Sequence, residues 1–341
     1  MFGGHRGRQQ TLLVGEGPTF LGGVLRRAVL AVIGEPIARA GSPAQTATVP
    51  RGDEAVAHDG RAGLYRERKL IDGYPGLEQT GHQEQKDRDP AYLGRLLGRL
   101  SRLVDVSTPR RILVIGCGPT PGLVRLLRES GHDAVGLEPV PAFVAAAREY
   151  LGSEAAVIEG AAEAMPLPDG SFDVVFAESV LEHVTSPSKS LDEMCRLLRP
   201  GGALYLTTTN RYEISLTGLN GEYRIRFFNW LPATVRESFV YQHHHYDPSL
   251  ANHTRLPAVH WFTFARLCEM GREAGFARFY SLIDLMDEND PRVGRRRLGR
   301  ALFRRARYSP WLRAAALFQY GGTIVMVKLP PGRSALDPAP G

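Results

Sequence analysis

The sequence predicts an α/β protein built on a doubly wound, mostly parallel sheet. Three observations lead there. Residues 111–122 read RILVIGCGPTPG. Four apolar residues, Ile112–Ile115, have the length and branching of a strand buried on both faces, and they run into Gly116, Gly118 and Gly122 and then into the helical spacing of Leu123, Leu126 and Leu127. Strand and helix patterns then alternate as far as Thr208, which favours parallel pairing with right-handed crossovers. A final apolar run, GTIVMVK at 322–328, supplies a closing strand.

In chain order, residues 1–63 read as a flexible tail, because 41–63 are rich in Gly, Ala, Pro and Thr without apolar periodicity. Residues 64–105 form a helical or lid segment. Its clearest part begins at Pro90, after which Leu93, Leu96, Leu97, Leu100 and Leu103 keep helical spacing. The main domain is expected over 106–330. Its strands are 112–115, 134–137, 155–158, 172–176, 203–208 (after the Pro200-Gly201-Gly202 turn), 277–283 and 322–328. Helices are expected at 121–130, where Gly131 is the stop, and at 143–151, 191–198 and 262–274. Inserts 211–260 and 285–320 are too long for ordinary αβ connections and read as a functional cap and an Arg-rich element. Residues 331–341 form a Pro-rich tail.

Composition narrows the function classes. A hydrophobic content of 43% and a charged content of 23% are ordinary for a globular chain. The net charge of +6 is local, because nine Arg and no Asp, Glu or Lys fall between Pro291 and Tyr320. Without those nine the chain is net acidic, so a general nucleic-acid-binding surface is not implied. The three cysteines, Cys117, Cys195 and Cys268, are far apart and lack metal-ligand spacing, which fits a reducing compartment. The apolar stretch 11–33 is interrupted by Glu16, Arg26 and Arg27, so neither a membrane span nor a signal peptide is expected, and the reading is cytoplasmic.

The glycine turn narrows the ligand. A dinucleotide loop reads G-x-G-x-x-G and offers several N–H groups to a pyrophosphate. Here Pro121 holds the third-glycine position, Gly122 comes one residue late, and Pro119 and Pro121 carry no N–H. Such a loop suits an uncharged or zwitterionic group lying close to backbone. Glu138 closes the second strand, where an acid in this architecture faces a ribose and accepts its hydroxyl protons.

With ILVIGCGPTPG, GLEP at 136–139, EGAAEAMPLPDGSFDVVFAESVLEHV at 159–184 and LLRPGGALYLTTTN at 197–210, the chain resembles the class I S-adenosylmethionine-dependent methyltransferases, and most of all the subgroup that includes the ubiquinone- and menaquinone-type enzymes. The resemblance is close over 110–200 and looser to 330. It implies a Rossmann-like, seven-stranded sheet whose last strand is antiparallel, with S-adenosyl-L-methionine as cofactor. It also implies that Gly116, Cys117 and Gly118 line the methionine end through backbone, and that Glu138, beside Pro139, holds the ribose. Relatives often carry an Asp for the adenine amino group where this chain has Ala161; the resemblance then leaves that contact to the backbone of Ala161 and Ala162, with Met165 and Leu167 nearby. Glu178 would meet the methionine portion or the sulfonium side.

Methyl transfer from a sulfonium needs the acceptor held in line at roughly 3–3.5 Å. A base is required only for a hydroxyl or protonated amine. The resemblance places His183, in LEHV, near the junction of donor and acceptor. It is the catalytic candidate, with a purely structural, helix-start histidine hydrogen-bonded to backbone as the competing reading. The run His243–His245, with Tyr241, Tyr246, Asp247, His253 and His260, is a polar wall or a solvated loop; only His243 and His245 have ligand spacing, and no metal is expected. Phe227, Phe228, Trp230, Tyr241 and Trp261 suggest an apolar acceptor pocket or the cap's own core. The expected activity is methyl transfer to a small or lipid-like acceptor, at oxygen before nitrogen or carbon, with a non-catalytic S-adenosylmethionine-binding protein or an N- or C-methyltransferase of a phosphate-bearing or natural-product acceptor as the alternatives. The Arg-rich 292–313 segment reads as a helix with Leu298, Ala301 and Leu302 on one face and Arg296, Arg300, Arg304 and Arg307 on another, followed by Ser309-Pro310 opening a second helix. It is a candidate for peripheral association with an anionic membrane; a solvated helix or a site for a phosphate-bearing acceptor are the alternatives.

Overall fold

The fold is given by a computed structural model. It describes residues 89–213, 231, 232, 234, 235, 258, 260–287, 290, 293, 297–330 and 332, with backbone alone at 297–299, 307 and 319. The expectations for 1–88, for His243–His245, Tyr241, Tyr246, Asp247 and His253, and for Phe227, Phe228 and Trp230 lie outside the described residues, as do those for Arg292, Arg295 and Arg296.

Helix α1 (Pro90–Leu100) starts on an Asp89 cap whose side chain accepts from the Ala91 N–H, and it buries Tyr92, Leu93, Leu96 and Leu100. Then follow β1 (Arg111–Ile115), α2 (Gly122–Glu129), β2 (Asp133–Glu138), α3 (Pro141–Leu151), β3 (Val157–Glu159), β4 (Phe172–Glu178), α4 (Pro187–Leu197) and β5 (Leu198–Thr207). After the first insert come α5 (Phe264–Glu273), β6 (Arg278–Ser281), α6 (Leu282–Leu285), α7 (Arg297–Tyr308), α8 (Pro310–Tyr320) and β7 (Thr323–Val327), with α7 and α8 inside the second insert. The seven strands form one sheet in the order β3-β2-β1-β4-β5-β7-β6. β1 to β5 are parallel, and β7 is antiparallel to both β5 and β6. This is the expected fold, with two buried clusters on opposite faces of the sheet. One contains Leu96, Leu100, Val124, Phe176 and Tyr205; the other contains Leu113, Phe172, Leu191 and Met326.

Several elements differ from the sequence reading. The third strand is shorter and later, since Glu154–Ala156 coil into a 3₁₀ turn before it. The helix expected at 191 starts at Pro187, because Ser186 caps it by accepting from the Lys189 N–H. Pro200–Gly202 lie within β5 rather than before it, and the ladder to β4 shifts register there. Gly202 is required at that shift, as a Cβ would stand 2.8 Å from the Asp173 carbonyl. The strand expected to run to Ile283 stops at Ser281, where a capping box with Asp284 turns the chain into α6, and Leu282, Ile283 and Leu285 are buried as helix residues. In α7 the buried side chain among the described residues is Phe303, at 8% exposure, while Ala301 and Leu302 face outward.

Candidate active site

β1, β2, β3 and β4 end level with one another: Ile115 pairs with Leu137 and Ala177, and Glu138 with Glu159. The reversal of strand order falls between β1 and β4, so their carboxyl ends open the crevice in which this architecture places ligands. Gly116, Cys117, Gly118, Glu138, Ala161, Ala162, Glu178 and His183 all follow directly from these strand ends, and the structure brings them to one edge.

The glycine turn is tightly built. The N–H groups of Gly116 and Cys117 both donate to the Leu137 carbonyl (2.8 and 3.2 Å), and the Gly118 N–H donates to Glu138 Oε2 (3.1 Å). The three N–H groups that open the turn are therefore spent on protein acceptors and are not offered to a phosphate. Gly116 and Gly118 are both left-handed, at φ +67° and +66°. A Cβ on Gly116 would strike Val180 Cγ2 at 2.7 Å, whereas a Cβ on Gly118 would meet nothing within 4 Å. The Cys117 side chain turns inward, beneath Gly136, whose own Cβ would lie 2.6 Å from the sulfur.

Glu138 is 5% exposed. Its second oxygen, Oε1, accepts from the Val140 N–H at 3.1 Å. Burial pushes its pKa up, and the two backbone hydrogen bonds, from Val140 and Gly118, oppose that shift. A buried carboxylate with lone pairs remaining on each oxygen, beside open space over Gly118, matches a vicinal diol. Pro139 next to it is exposed.

The Gly160–Ala162 bend is fixed by the Gly160 N–H donating to the Glu138 carbonyl (3.1 Å), and Gly160 leaves no room for a Cβ between Pro166 and Leu137. Glu163 Oε1 accepts from the N–H groups of Thr185 and Ser186, tying this bend to the start of α4. Ala161 is exposed; Ala162 and Met165 are buried.

The loop after β4 carries Ser179 at φ +54°, the left-handed non-glycine among the described residues. Its N–H donates to the Thr207 carbonyl (2.9 Å). His183 is 8% exposed in the turn that follows, and its N–H donates to the Val180 carbonyl (2.9 Å). Glu182, 2% exposed, accepts from Thr208 Oγ1 (2.8 Å). Two contacts here escaped sequence reasoning. Tyr92 of α1 donates its hydroxyl hydrogen bond to Glu178 Oε1 across 86 residues of sequence. His260 clamps the His183 turn, with its N–H on the Glu182 carbonyl (3.3 Å) and Nε2 at 2.9 Å from the Val184 carbonyl. The leucine stripe of α1 carries no signal for Tyr92 or for its partner.

Residues 113–206 match the family model described as a methyltransferase domain. A methyltransferase of Mycolicibacterium gilvum is 31% identical over 180 residues, covering 48% of this chain and 68% of that protein. A demethylmenaquinone methyltransferase of Thermus thermophilus is 34% identical over 139 residues, covering 38% and 62%. A tRNA U34 carboxymethyltransferase of Saccharophagus degradans is 36% identical over 104 residues, covering 29% and 32%. The last two matches take in less than two thirds of the relative's own length. The region matched by the family model runs from β1 into β5 and includes the glycine turn and the buried Glu138. The chain belongs to the class I S-adenosylmethionine-dependent methyltransferases, with S-adenosylmethionine as its methyl donor.

Proposed function

We propose that the protein moves a methyl group to an oxygen of a small or lipid-like acceptor, with His183 as general base. When bound, S-adenosylmethionine supplies a methyl group activated by its sulfonium. The carbonyls of Gly116, Cys117 and Gly118 accept from the donor's ammonium group. Glu138, next to Pro139, accepts the ribose hydroxyl protons. The backbone at Ala161 and Ala162, over Met165 and Leu167, holds the adenine, and Glu178, oriented by the Tyr92 hydroxyl, borders the methionine end. His183 takes the proton from the acceptor hydroxyl as the new C–O bond forms. An imidazole titrates in the range where it is neutral enough to accept and acidic enough to release.

The observation that carries this reading is the fixed turn around His183. Hydrogen bonds from Thr208 and His260 hold it against the end of β5, on the same strand edge as Glu138. The similarity to a demethylmenaquinone methyltransferase favours a lipid-like acceptor. Acceptor choice then belongs to the inserts 211–260 and 285–320 of a catalytic domain spanning 106–330, with 64–105 as its N-terminal helical or lid segment. His183→Asn should leave donor affinity unchanged and slow single-turnover transfer to a phenolic or quinol hydroxyl by about 10²–10⁴-fold, with loss of the acidic limb of the pH profile. An unchanged rate and profile would remove His183 from the chemistry, and a product methylated at nitrogen or carbon would remove the oxygen assignment.

A further inference from the structure

Helices α7 and α8 form a hairpin joined at Ser309, whose Oγ caps α8 by accepting from the Leu312 N–H (3.5 Å). Its inner side is ordinary. Phe303, Ala316, Leu317 and Tyr320 pack with Leu282, Ile283 and Met286. Arg313 makes a two-point ion pair with Asp284, at 2.5 and 2.6 Å. The outer side is not ordinary. On α8, Trp311, Ala314, Ala315 and Phe318 are all exposed at i, i+3, i+4 and i+7, an apolar stripe without a charge that faces away from the core. Trp311 is 71% exposed and Phe318 43%. On α7, Leu302, at 53%, and Tyr308, at 87%, share the outer face with Ala301, Arg304 and Arg305. At the hairpin tip Tyr308 and Trp311, on either side of Ser309-Pro310, are the most exposed large apolar side chains among the described residues.

We infer that the outer face of the α7–α8 hairpin is a docking surface for an anionic lipid bilayer. Two properties select that occupant. Between Pro291 and Tyr320 the sequence has nine Arg and no Asp, Glu or Lys, so that even with Arg313 spent on Asp284 the segment is complementary to an anionic plane and self-repelling towards a second copy of the chain. A charge-free stripe ending in Trp and Phe, beside arginines, is the pattern that settles at the boundary of headgroups and acyl chains; a polyanion such as RNA offers nothing to bury the alanine-centred stripe. The surface is also joined to the site. Asn210, just beyond β5, donates through Nδ2 to the carbonyls of Leu317 and Phe318 (3.2 and 2.9 Å), and Tyr212 packs on Phe318 with ring centroids 5.7 Å apart. The end of α8 is thus pinned two residues from Thr208, which holds the His183 turn. Docking at this face would hold that strand edge close to a membrane-borne acceptor.

The test is flotation of the full chain with phosphatidylcholine vesicles, with and without phosphatidylglycerol, at low and high salt. The protein should float with the anionic vesicles at low salt and be released by high salt. Arg300→Gln, Arg304→Gln and Arg305→Gln together should lower the partition coefficient by about a hundred-fold, each arginine being worth about five-fold. Trp311→Ser should lower it by about ten-fold with unchanged melting temperature and donor affinity. No flotation with anionic vesicles, equal flotation with neutral ones, retention by RNA instead, or insensitivity to both variants would overturn the inference. Vesicle binding is read without turnover, so floating protein that methylates no lipid-like acceptor would leave the docking surface standing and remove the acceptor proposal alone.

Discussion

Replacing Glu138 by Gln tests the donor site most directly. The carboxylate is 5% exposed and spans two backbone donors, the Gly118 and Val140 N–H groups, each at 3.1 Å. Alanine would orphan both, at about 1–3 kcal/mol each, which is a large part of a domain's whole stability and confuses folding with binding. Glutamine keeps the shape and one carbonyl oxygen, so one N–H stays paired and the other faces an amide NH₂; the folded state should lose about 1–3 kcal/mol. Donor binding loses its charge-assisted hydroxyl bonds, about 1.5–3 kcal/mol, or roughly 10- to 150-fold in Kd. Calorimetric titration with S-adenosylmethionine, beside a melting curve, reads both effects. A Kd within about two-fold of wild type in a folded variant would show that the carboxylate does not hold the donor. The pH dependence has a definite sign. Burial raises the Glu138 pKa above its unfolded value, so the folded protein holds the extra proton. The stability linked to that proton is complete below the unfolded pKa and is lost as pH rises through the folded one. Ribose hydroxyls favour the ionised form, so donor binding should release protons and tighten across that window, and titrations in two buffers of different ionisation enthalpy would detect the release.

Two further outcomes follow from contacts between distant parts of the chain. Tyr92→Phe removes only the hydroxyl bonded to Glu178; urea unfolding should show a loss of about 1–2 kcal/mol, and donor affinity should fall with it, whereas an unchanged affinity would separate Glu178 from the donor site. Arg99 and Asp290 pair at 2.7 Å with side chains only 6% and 7% exposed. Asp290→Ala should therefore cost about 3–5 kcal/mol by urea unfolding, and Arg99→Met with Asp290→Leu much less, because breaking a buried pair is worse than replacing it.

What could be read from the residues was what neighbouring residues decide. Gly116, Gly118 and Glu138 lie within one βα unit and its following strand, and the parallel register fixes their relation once the strands are recognised. The turn at Ser281 was also written locally: Ser281-Leu282-Ile283-Asp284 is a capping box, but the apolar run masked it, since periodicity cannot separate a short buried strand from one helical turn. Spacing puts Ala301 and Leu302 on one face of α7, but that Phe303 turns inward is decided only by the Leu282–Met286 cluster it packs on. Contacts such as Tyr92–Glu178 and Arg99–Asp290, 86 and 191 residues apart, leave no local pattern at all. The inward turn of Cys117 beneath Gly136 belongs to the same class, a fit between adjacent strand ends that spacing does not encode.

The position of β7 has a consequence for how the chain is made. β6 leaves the ribosome about 40 residues ahead of β7, yet among the described residues its one sheet neighbour is β7, which itself bonds to β5. Through that interval β6 has no sheet partner and the outer rim of β5 stands open, while the donor half of the sheet, β1 to β5, is already complete in sequence. Should β1 to β5 pair before β7 emerges, the half-sheet carries an unsealed strand edge, the kind of surface that recruits another copy. Addition of one five-residue strand, Thr323–Val327, closes it and captures β6 in the same step.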